Sequence, residues 1–156
     1  LYNQHMIYLA ADHRGFKLKE ELRKYLLGQG FEIEDVGAFE YNQDDDYVDF
    51  SSVAAQKIAE NPSLHKGIFV CGSGHGIDIV VNKFKGVRAA LVFNAEVAVQ
   101  SREHEDANVL VFASDWIEPE KAKDLATVWL GKSFGGAERN IRRLRKIEEV
   151  ERENFK

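Results

Sequence analysis

Short apolar runs alternate along this chain with stretches whose apolar residues recur at helical spacing. Runs of apolar residues ended by glycine or polar residues predict β-strands at 6–11, 31–36, 68–71, 86–93 and 108–113. Spacings of three and four residues predict helices between and after them, with apolar faces at Phe16–Leu26, at Val53, Ala54 and Ile58, at Ile77, Val80, Val81 and Phe84, at Ala122–Leu130 and at Ile141–Ile147. Residues 95–103 are also predicted to form a helix.

Strands that alternate with helices are typical of a parallel sheet covered on both faces. We therefore predict an α/β fold, a doubly wound (Rossmann-like) three-layer domain with a parallel sheet of about five strands. Residues 6–156 are predicted to form one domain, and residues 1–5, which precede Met6, are expected to be an added remnant. The last helix overhangs this domain, and its stripe Ile141–Leu144–Ile147 is predicted to pack on a second chain.

The third strand runs into a glycine-rich turn, Cys71-Gly72-Ser73-Gly74-His75-Gly76, and then into a helix. Glycines allow another group to approach the backbone closely, and free N–H groups at a helix start attract anions. The spacing matches neither the dinucleotide-binding nor the P-loop pattern. The turn therefore predicts an oxyanion cradle without indicating a nucleotide.

Cys71, the only cysteine, ends the third strand beside this cradle. A thiol at a helix N-terminus tends to have a lowered pKa, so Cys71 is predicted to act as a general base or a nucleophile. Ser73 and the N–H groups of Gly72, Gly74 and Gly76 would stabilise an oxyanion. The alternative is a tight turn in which Ser73 caps the helix and Cys71 is a buried, inert side chain.

Other polar residues follow neighbouring strands at the predicted carboxyl edge of the sheet, where ligands bind in such folds. Asp12 and His13 follow strand one and Asp115 follows strand five. Arg139 and Arg143 share one face of the last helix and can clamp an anion, although a balanced surface face is the alternative. His104 lies in a charged stretch before strand five, where a solvated helix end is the other interpretation.

Composition excludes several classes of function. A net charge of −5 argues against a general nucleic-acid binder, and the chain has no apolar run long enough to span a membrane. One cysteine excludes an internal disulfide framework and favours a reducing compartment, the cytoplasm. No histidine or cysteine spacing indicates a metal site; a set of Asp12, His13 and His104 has no support from local pattern.

Taken together, these motifs resemble a known family. Asp12-His13-x-Gly15-Phe16, Cys71-Gly72-Ser73-Gly74-x-Gly76-Ile77, Val81-Asn82-Lys83, Ser101-Arg102-x-His104-x-Asp106-Ala107-Asn108 and Arg139-x-x-x-Arg143 occur in this order. The chain is similar to the ribose-5-phosphate isomerase B group of the ribose/galactose isomerase family over nearly its whole length.

The resemblance implies metal-free and cofactor-free isomerisation of ribose 5-phosphate and ribulose 5-phosphate. It implies that Cys71 is the base that moves a proton between C2 and C1, that Ser73 and the glycine N–H groups hold the enediolate, and that His104 opens the sugar ring with help from Asp12. His13, Arg139 and Arg143 would bind the phosphate. It further implies a homodimer or homotetramer whose sites combine residues of two chains.

Some positions depart from the family pattern. Glu105 replaces an Asn beside His104, Asp115 replaces an Arg that helps to bind substrate, and Asn140 replaces a His. A carboxylate near a phosphate site would repel it, by about 4 kcal/mol for a unit pair ~4 Å apart at an effective dielectric constant of ~20. Alternatives are therefore an isomerase of another sugar phosphate, such as allose or galactose 6-phosphate, and a non-catalytic sugar-phosphate-binding protein.

Overall fold

The computed structural model describes residues 5–155, so the prediction made for residues 1–5 falls outside this range except at His5. The elements in chain order are β1 Ile7–Ala11, α1 Phe16–Gly28, β2 Ile33–Asp35, α2 Tyr47–Glu60, β3 Lys66–Cys71, α3 His75–Val81, β4 Ala89–Leu91, α4 Ala95–Glu103, β5 Val109–Ala113, α5 Pro119–Gly131 and α6 Glu138–Asn154.

The five strands form one parallel sheet in the order β2-β1-β3-β5-β4. Alternate strand residues point to opposite faces, and each face has its own buried core. One core packs against α1, α4 and α5 and includes Leu22 and Trp129, while the other packs against α2 and α3 and includes Ile58 and Ile77. The predicted doubly wound three-layer α/β fold is confirmed.

The strand order places a switch point at the centre of the sheet. From β1 the chain moves to β2 on one side and later to β3 on the other. Cys71 at the end of β3 pairs in register with Ala113 at the end of β5, and Ala11 at the end of β1 pairs with Val70. The loops after β1, β3 and β5 therefore start from the same edge, which is where open α/β sheets bind ligands.

Two predicted helix faces were wrong in detail. Helix α3 ends at Val81, so Phe84 lies beyond it and packs on the second core from a turn. Asn82 causes this end, because its amide donates to the Asp78 carbonyl and accepts the Ala89 N–H, which draws the chain toward β4. Val53 is 52% exposed; α2 buries Ser51, Ala54, Ala55 and Ile58 instead.

The predicted fourth strand was too long. The strand itself is Ala89–Leu91, an edge strand paired with β5, and its flanking residues Arg88 and Val92 add single backbone hydrogen bonds to the same neighbour. Within the described residues, no helix is both long enough and apolar enough to cross a membrane.

Helix α6 lies across the amino edge of the sheet. The segment before α6 is held by a hydrogen bond from the Gly135 N–H to the Glu103 carbonyl. The second half of α6 is held by Glu151, whose carboxylate accepts the Gly86 N–H at 3.0 Å. Along the predicted apolar stripe, Ile141 and Leu144 are half-buried, while Ile147 is 39% exposed. The stripe is therefore only partly covered by its own chain, and its packing on a second chain stays a prediction.

Candidate active site

The loops that follow β1, β3 and β5 are tied together by hydrogen bonds. The Ser114 hydroxyl lies 2.9 Å from the Arg14 carbonyl and 3.2 Å from the Cys71 carbonyl, so it can donate to either. The Asp115 N–H donates to the Gly72 carbonyl at 3.0 Å. These hydrogen bonds join the loops that follow the three strands at the carboxyl edge of the sheet.

Cys71 lies beneath the glycine-rich turn and is only 3% exposed. Its side chain belongs to the core on the α2/α3 face, and the backbone N–H groups of Gly74 and Ile77 face the sulfur closely enough to lower the pKa of the thiol. Burial raises the pKa of the Cys71 thiol more than these two donors lower it. The predicted lowering of the pKa was wrong, because desolvation of the thiolate outweighs the helix start.

The turn itself is built around Gly74, whose φ of +77° favours a glycine. The Ser73 hydroxyl accepts the His75 N–H at 3.3 Å, but the N-cap position of α3 is Gly74, so Ser73 is not the helix cap that the alternative interpretation expected. Gly72 is buried and His75 is exposed to solvent. A Cβ atom at Gly76 would overlap the ring of Tyr47, so the first turn of α2 closes over this part of the cradle.

Asp12 is 5% exposed at the end of β1. One of its carboxylate oxygens accepts the Gly15 N–H at 3.0 Å. Burial raises the pKa of the Asp12 carboxyl, and this hydrogen bond opposes the rise only in part. The electrostatic interaction of Asp12 with the Cys71 thiol also raises the pKa of that thiol, which places the two groups in one site.

Arg14 lies over the turn and forms an ion pair with Asp115. Its guanidinium occupies the space that a Cβ atom at Gly72 would need, and its charge lowers the pKa of the Cys71 thiol. Asp115, which replaces a family arginine, is therefore neutralised by an arginine from another loop. The repulsion expected from the Asp115 sequence position is offset by this pair.

His13 is held by an acidic residue that sequence analysis did not single out. The backbone N–H of His13 donates to Asp45 Oδ1 at 2.8 Å, and His13 Nδ1 lies 2.8 Å from the same oxygen. The His13 side chain is 22% exposed and the Asp45 side chain 7% exposed. His13 is thus fixed at the border between the site and the acidic loop before α2.

The remaining predicted residues lie at the opposite edge of the sheet. His104 follows α4, the Glu105 carbonyl accepts a hydrogen bond from Arg88 just before β4, and both precede the first residue of β5. Since Cys71 pairs with the last residue of β5, the strand alone separates the two ends by about 13 Å at ~3.3 Å per residue. The exposed Arg139 and Arg143 lie in the first turns of α6, at the same edge of the sheet.

One chain therefore brings together two separate groups of predicted site residues. We call them the carboxyl-edge set and the amino-edge set. The carboxyl-edge set consists of Asp12, His13, Cys71, Gly72, Ser73, Gly74, His75, Gly76 and Asp115, and the amino-edge set consists of His104, Glu105, Arg139 and Arg143.

This division also bears on metal binding. Asp12 and His13 lie at one edge and His104 at the other. Across residues 5–155, no group of three or more histidine, cysteine, aspartate or glutamate side chains is arranged to hold a metal ion.

Three residues of the carboxyl edge were missed by sequence analysis: Arg14, Asp45 and Tyr47. Arg14 stands inside the motif Asp12-His13-Arg14-Gly15, so its place at a strand end was a usable signal. Asp45 lies among three consecutive aspartates, and nothing in that local pattern distinguishes it from its neighbours.

A buried thiol, a buried carboxylate and a cradle of N–H groups at the switch point of a parallel sheet define an acid–base catalyst for a small polar substrate. The profile of the family described as Ribose/Galactose Isomerase matches residues 7–147. The chain belongs to this family.

Relatives and solved structures agree with this assignment. Ribose-5-phosphate isomerase B of Escherichia coli K12 is 37% identical over 145 residues, covering 93% of this chain and 95% of the relative. The crystal structure of ribose-5-phosphate isomerase B from Mycoplasma genitalium with bound ribulose-5-phosphate superposes with a TM-score of 0.92 at 35% identity, covering 96% and 97% of the two chains. The Thermotoga maritima ribose 5-phosphate isomerase structure has a TM-score of 0.87 at 39% identity, covering 93% and 98%.

Proposed function

We propose that this protein is an aldose–ketose isomerase that interconverts ribose 5-phosphate and ribulose 5-phosphate through an enediolate. The observation that carries the proposal is the position of Cys71, a buried thiol at the switch point that the backbone N–H groups of Gly74 and Ile77 face and that lies close to Asp12. A family member of closely similar fold has been crystallised with ribulose-5-phosphate, the product of this reaction.

The chemistry requires a base, an acid and a place for negative charge. The Cys71 thiolate removes the C2 proton of the open-chain aldose, and the electron pair of that C–H bond forms the C1–C2 double bond of the enediolate. The charge that develops on O1 is stabilised by Ser73 and by N–H groups of the turn. After a proton moves from O2 to O1, the thiol returns its proton to C1 and leaves the ketose.

The raised pKa of Cys71 has a consequence for this step. At neutral pH most of the thiol is protonated, so the reaction draws on a minor thiolate population. The N–H groups of Gly74 and Ile77 and the guanidinium of Arg14 each favour the thiolate. A weakly acidic thiol is also the stronger base, which suits abstraction of a carbon-bound proton.

Ring opening and phosphate binding need the amino-edge set. His104 transfers a proton to open the furanose ring with Asp12 as its assistant, and His13, Arg139 and Arg143 bind the phosphate. Because about 13 Å of β5 separates the two sets in one chain, we propose a homodimer in which a second copy supplies the amino-edge set. Helix α6 and its partly exposed stripe would form part of this interface, and a homotetramer of such dimers is compatible with it.

The charge of the carboxyl edge is compatible with a phosphorylated substrate. Asp115 pairs with Arg14, so the carboxyl edge carries less repulsion toward an anion than the substitution alone would give. Glu105 is exposed and would approach the site only from a second copy. An isomerase of allose or galactose 6-phosphate remains the second candidate because of Glu105. We place the protein in the cytoplasm, which a single unpaired cysteine favours.

The test is an isomerase assay on the purified full chain with ribose 5-phosphate, allose 6-phosphate and galactose 6-phosphate. We expect the highest kcat/KM with ribose 5-phosphate and unchanged turnover after treatment with a chelator. In D₂O the ketose should carry deuterium at C1, because the abstracted proton exchanges with solvent. Cys71→Ser should lose at least about 10²-fold in kcat, the usual contribution of a general base.

Each result decides one part of the proposal. Unchanged turnover of Cys71→Ser would remove Cys71 from the role of base. A clear preference for a hexose 6-phosphate would select the second candidate. Ligand-induced thermal stabilisation without any isomerisation would mean a non-catalytic sugar-phosphate-binding protein.

A further inference from the structure

The carboxylate of Asp45, which lies beside the carboxyl-edge set, contacts His13 through only one of its two oxygens. One oxygen, Oδ1, lies 2.8 Å from both the backbone nitrogen and the ring Nδ1 of His13. The other oxygen, Oδ2, is buried and has no hydrogen-bond partner among the described residues. Only 7% of the Asp45 side chain is exposed to solvent. A carboxylate held this way gives up hydration in order to contact one histidine.

This arrangement fixes the imidazole on two sides. The backbone N–H of His13 positions the carboxylate relative to the end of β1, and the same oxygen then accepts the Nδ1 proton. The edge of the His13 ring meets the Tyr41 ring at a centroid distance of 6.1 Å. With Nδ1 occupied, Nε2 is the nitrogen left for a ligand, and a protonated ring can donate to an anion from there.

The charged groups around His13 come from two loops. Asp12 belongs to the loop after β1, and Asp45 belongs to the acidic loop before α2; both carboxylates interact with one another and with the imidazole. Of the two, only Asp45 contacts the ring directly. Hydrogen bonds to a charged partner are roughly twice as strong as those between neutral groups, so this contact controls the orientation of the ring.

We propose that Asp45 is a positioning residue that holds His13 so that Nε2 faces the substrate phosphate. The inference rests on the proposed function, in which His13 is a phosphate ligand. Asp45 itself does not touch the substrate. Asp45 therefore affects substrate affinity only through His13. Replacing Asp45 should consequently have no effect on substrate affinity in a variant that lacks the His13 imidazole.

The experiment is a double-mutant cycle on the full chain. Asp45→Ala and Asp45→Asn are made in the wild-type and His13→Ala backgrounds, with Asp44→Asn, an exposed neighbour in the same loop, as the matched control. KM and kcat for ribose 5-phosphate and the inhibition constant of inorganic phosphate are measured below the melting temperature of each variant. The isosteric Asn keeps an oxygen that accepts the same two N–H groups.

We expect Asp45→Ala to raise KM and the phosphate inhibition constant about tenfold with a smaller change in kcat, and Asp45→Asn to recover part of the loss. In the His13→Ala background neither change should weaken binding further. An equal loss in both backgrounds, or unchanged KM and phosphate inhibition in Asp45→Ala, would overturn the inference.

Failure of the proposed function gives a different result. If the wild-type protein does not isomerise ribose 5-phosphate, the affinities of the same variants for inorganic phosphate are measured by calorimetry instead. Coupling between Asp45 and His13 in that measurement supports the positioning role without the reaction. Absence of coupling, or of phosphate binding altogether, overturns it.

Discussion

The separation of the two residue sets within one chain predicts that inactive variants can restore each other. Cys71→Ser removes the proposed base at the carboxyl edge, and His104→Ala removes the proposed ring-opening acid at the amino edge. If each site combines the carboxyl edge of one chain with the amino edge of another, a mixed dimer contains one site with both substitutions and one site with neither. Neither variant has such an intact site by itself.

The magnitude follows from counting sites. After the two variants are mixed in equal amounts and allowed to reassort, about half of the dimers are mixed and half of the sites in those dimers are intact. The expected activity is therefore about one quarter of the wild-type activity at equal total protein. A base must lie within about 3 Å of the proton it moves. Because the two ends of β5 are about 13 Å apart, one chain cannot place both residue sets on the same substrate atoms.

The assay is ketose formation from ribose 5-phosphate, before and after reassortment, with subunit exchange verified by mass spectrometry of differently tagged chains. The matched control mixes Cys71→Ser with Asp12→Ala, which lie in the same set, so every site keeps one substitution and activity stays absent. Mixed dimers of Cys71→Ser and His104→Ala without recovered activity would refute the two-chain site. Recovery in the control would refute the assignment of Asp12 and Cys71 to one set.

Three further predictions concern the carboxyl edge. Arg14→Ala leaves the Asp115 carboxylate unpaired at the site, so KM for ribose 5-phosphate should rise about tenfold in steady-state kinetics; an unchanged KM would remove Arg14 from substrate binding. Burial raises the pKa of the Cys71 thiol, so kcat/KM should continue to increase with pH beyond about 8.5, and a plateau near neutral pH would contradict the raised pKa. Burial also raises the pKa of the Asp12 carboxyl above its unfolded value, so the folded state loses stability as pH rises through that range; Asp12→Asn should therefore raise Tm at pH 7 by about 3 °C while activity is lost, whereas a lower Tm would refute this reasoning.

Much of the architecture was predictable because hydrophobic periodicity records burial directly. The five strands and helix α5 follow from apolar runs, from glycine and from Pro119. One error occurred where a single polar side chain overrides the pattern. Asn82 ends α3 before Phe84, and no apolar spacing could indicate that its amide would bind β4.

The candidate site was predictable at the carboxyl edge for the same reason, since parallel strands end at one edge. Sequence spacing does not report desolvation, so the sign of the pKa shift at Cys71 was wrong. Contacts between distant loops, such as Arg14 with Asp115, depend on tertiary placement that local pattern does not encode. The edge to which His104 belongs follows from α4 running antiparallel to the strands, which the strand alternation implied.

The short strand β5 joins the two residue sets, so in the proposed dimer each chain extends from one catalytic centre to the other. Dilution below the dissociation constant of the dimer would then dismantle both centres at once, and specific activity would depend on protein concentration. A small molecule that prevents the two copies from meeting would silence the enzyme without entering either substrate pocket.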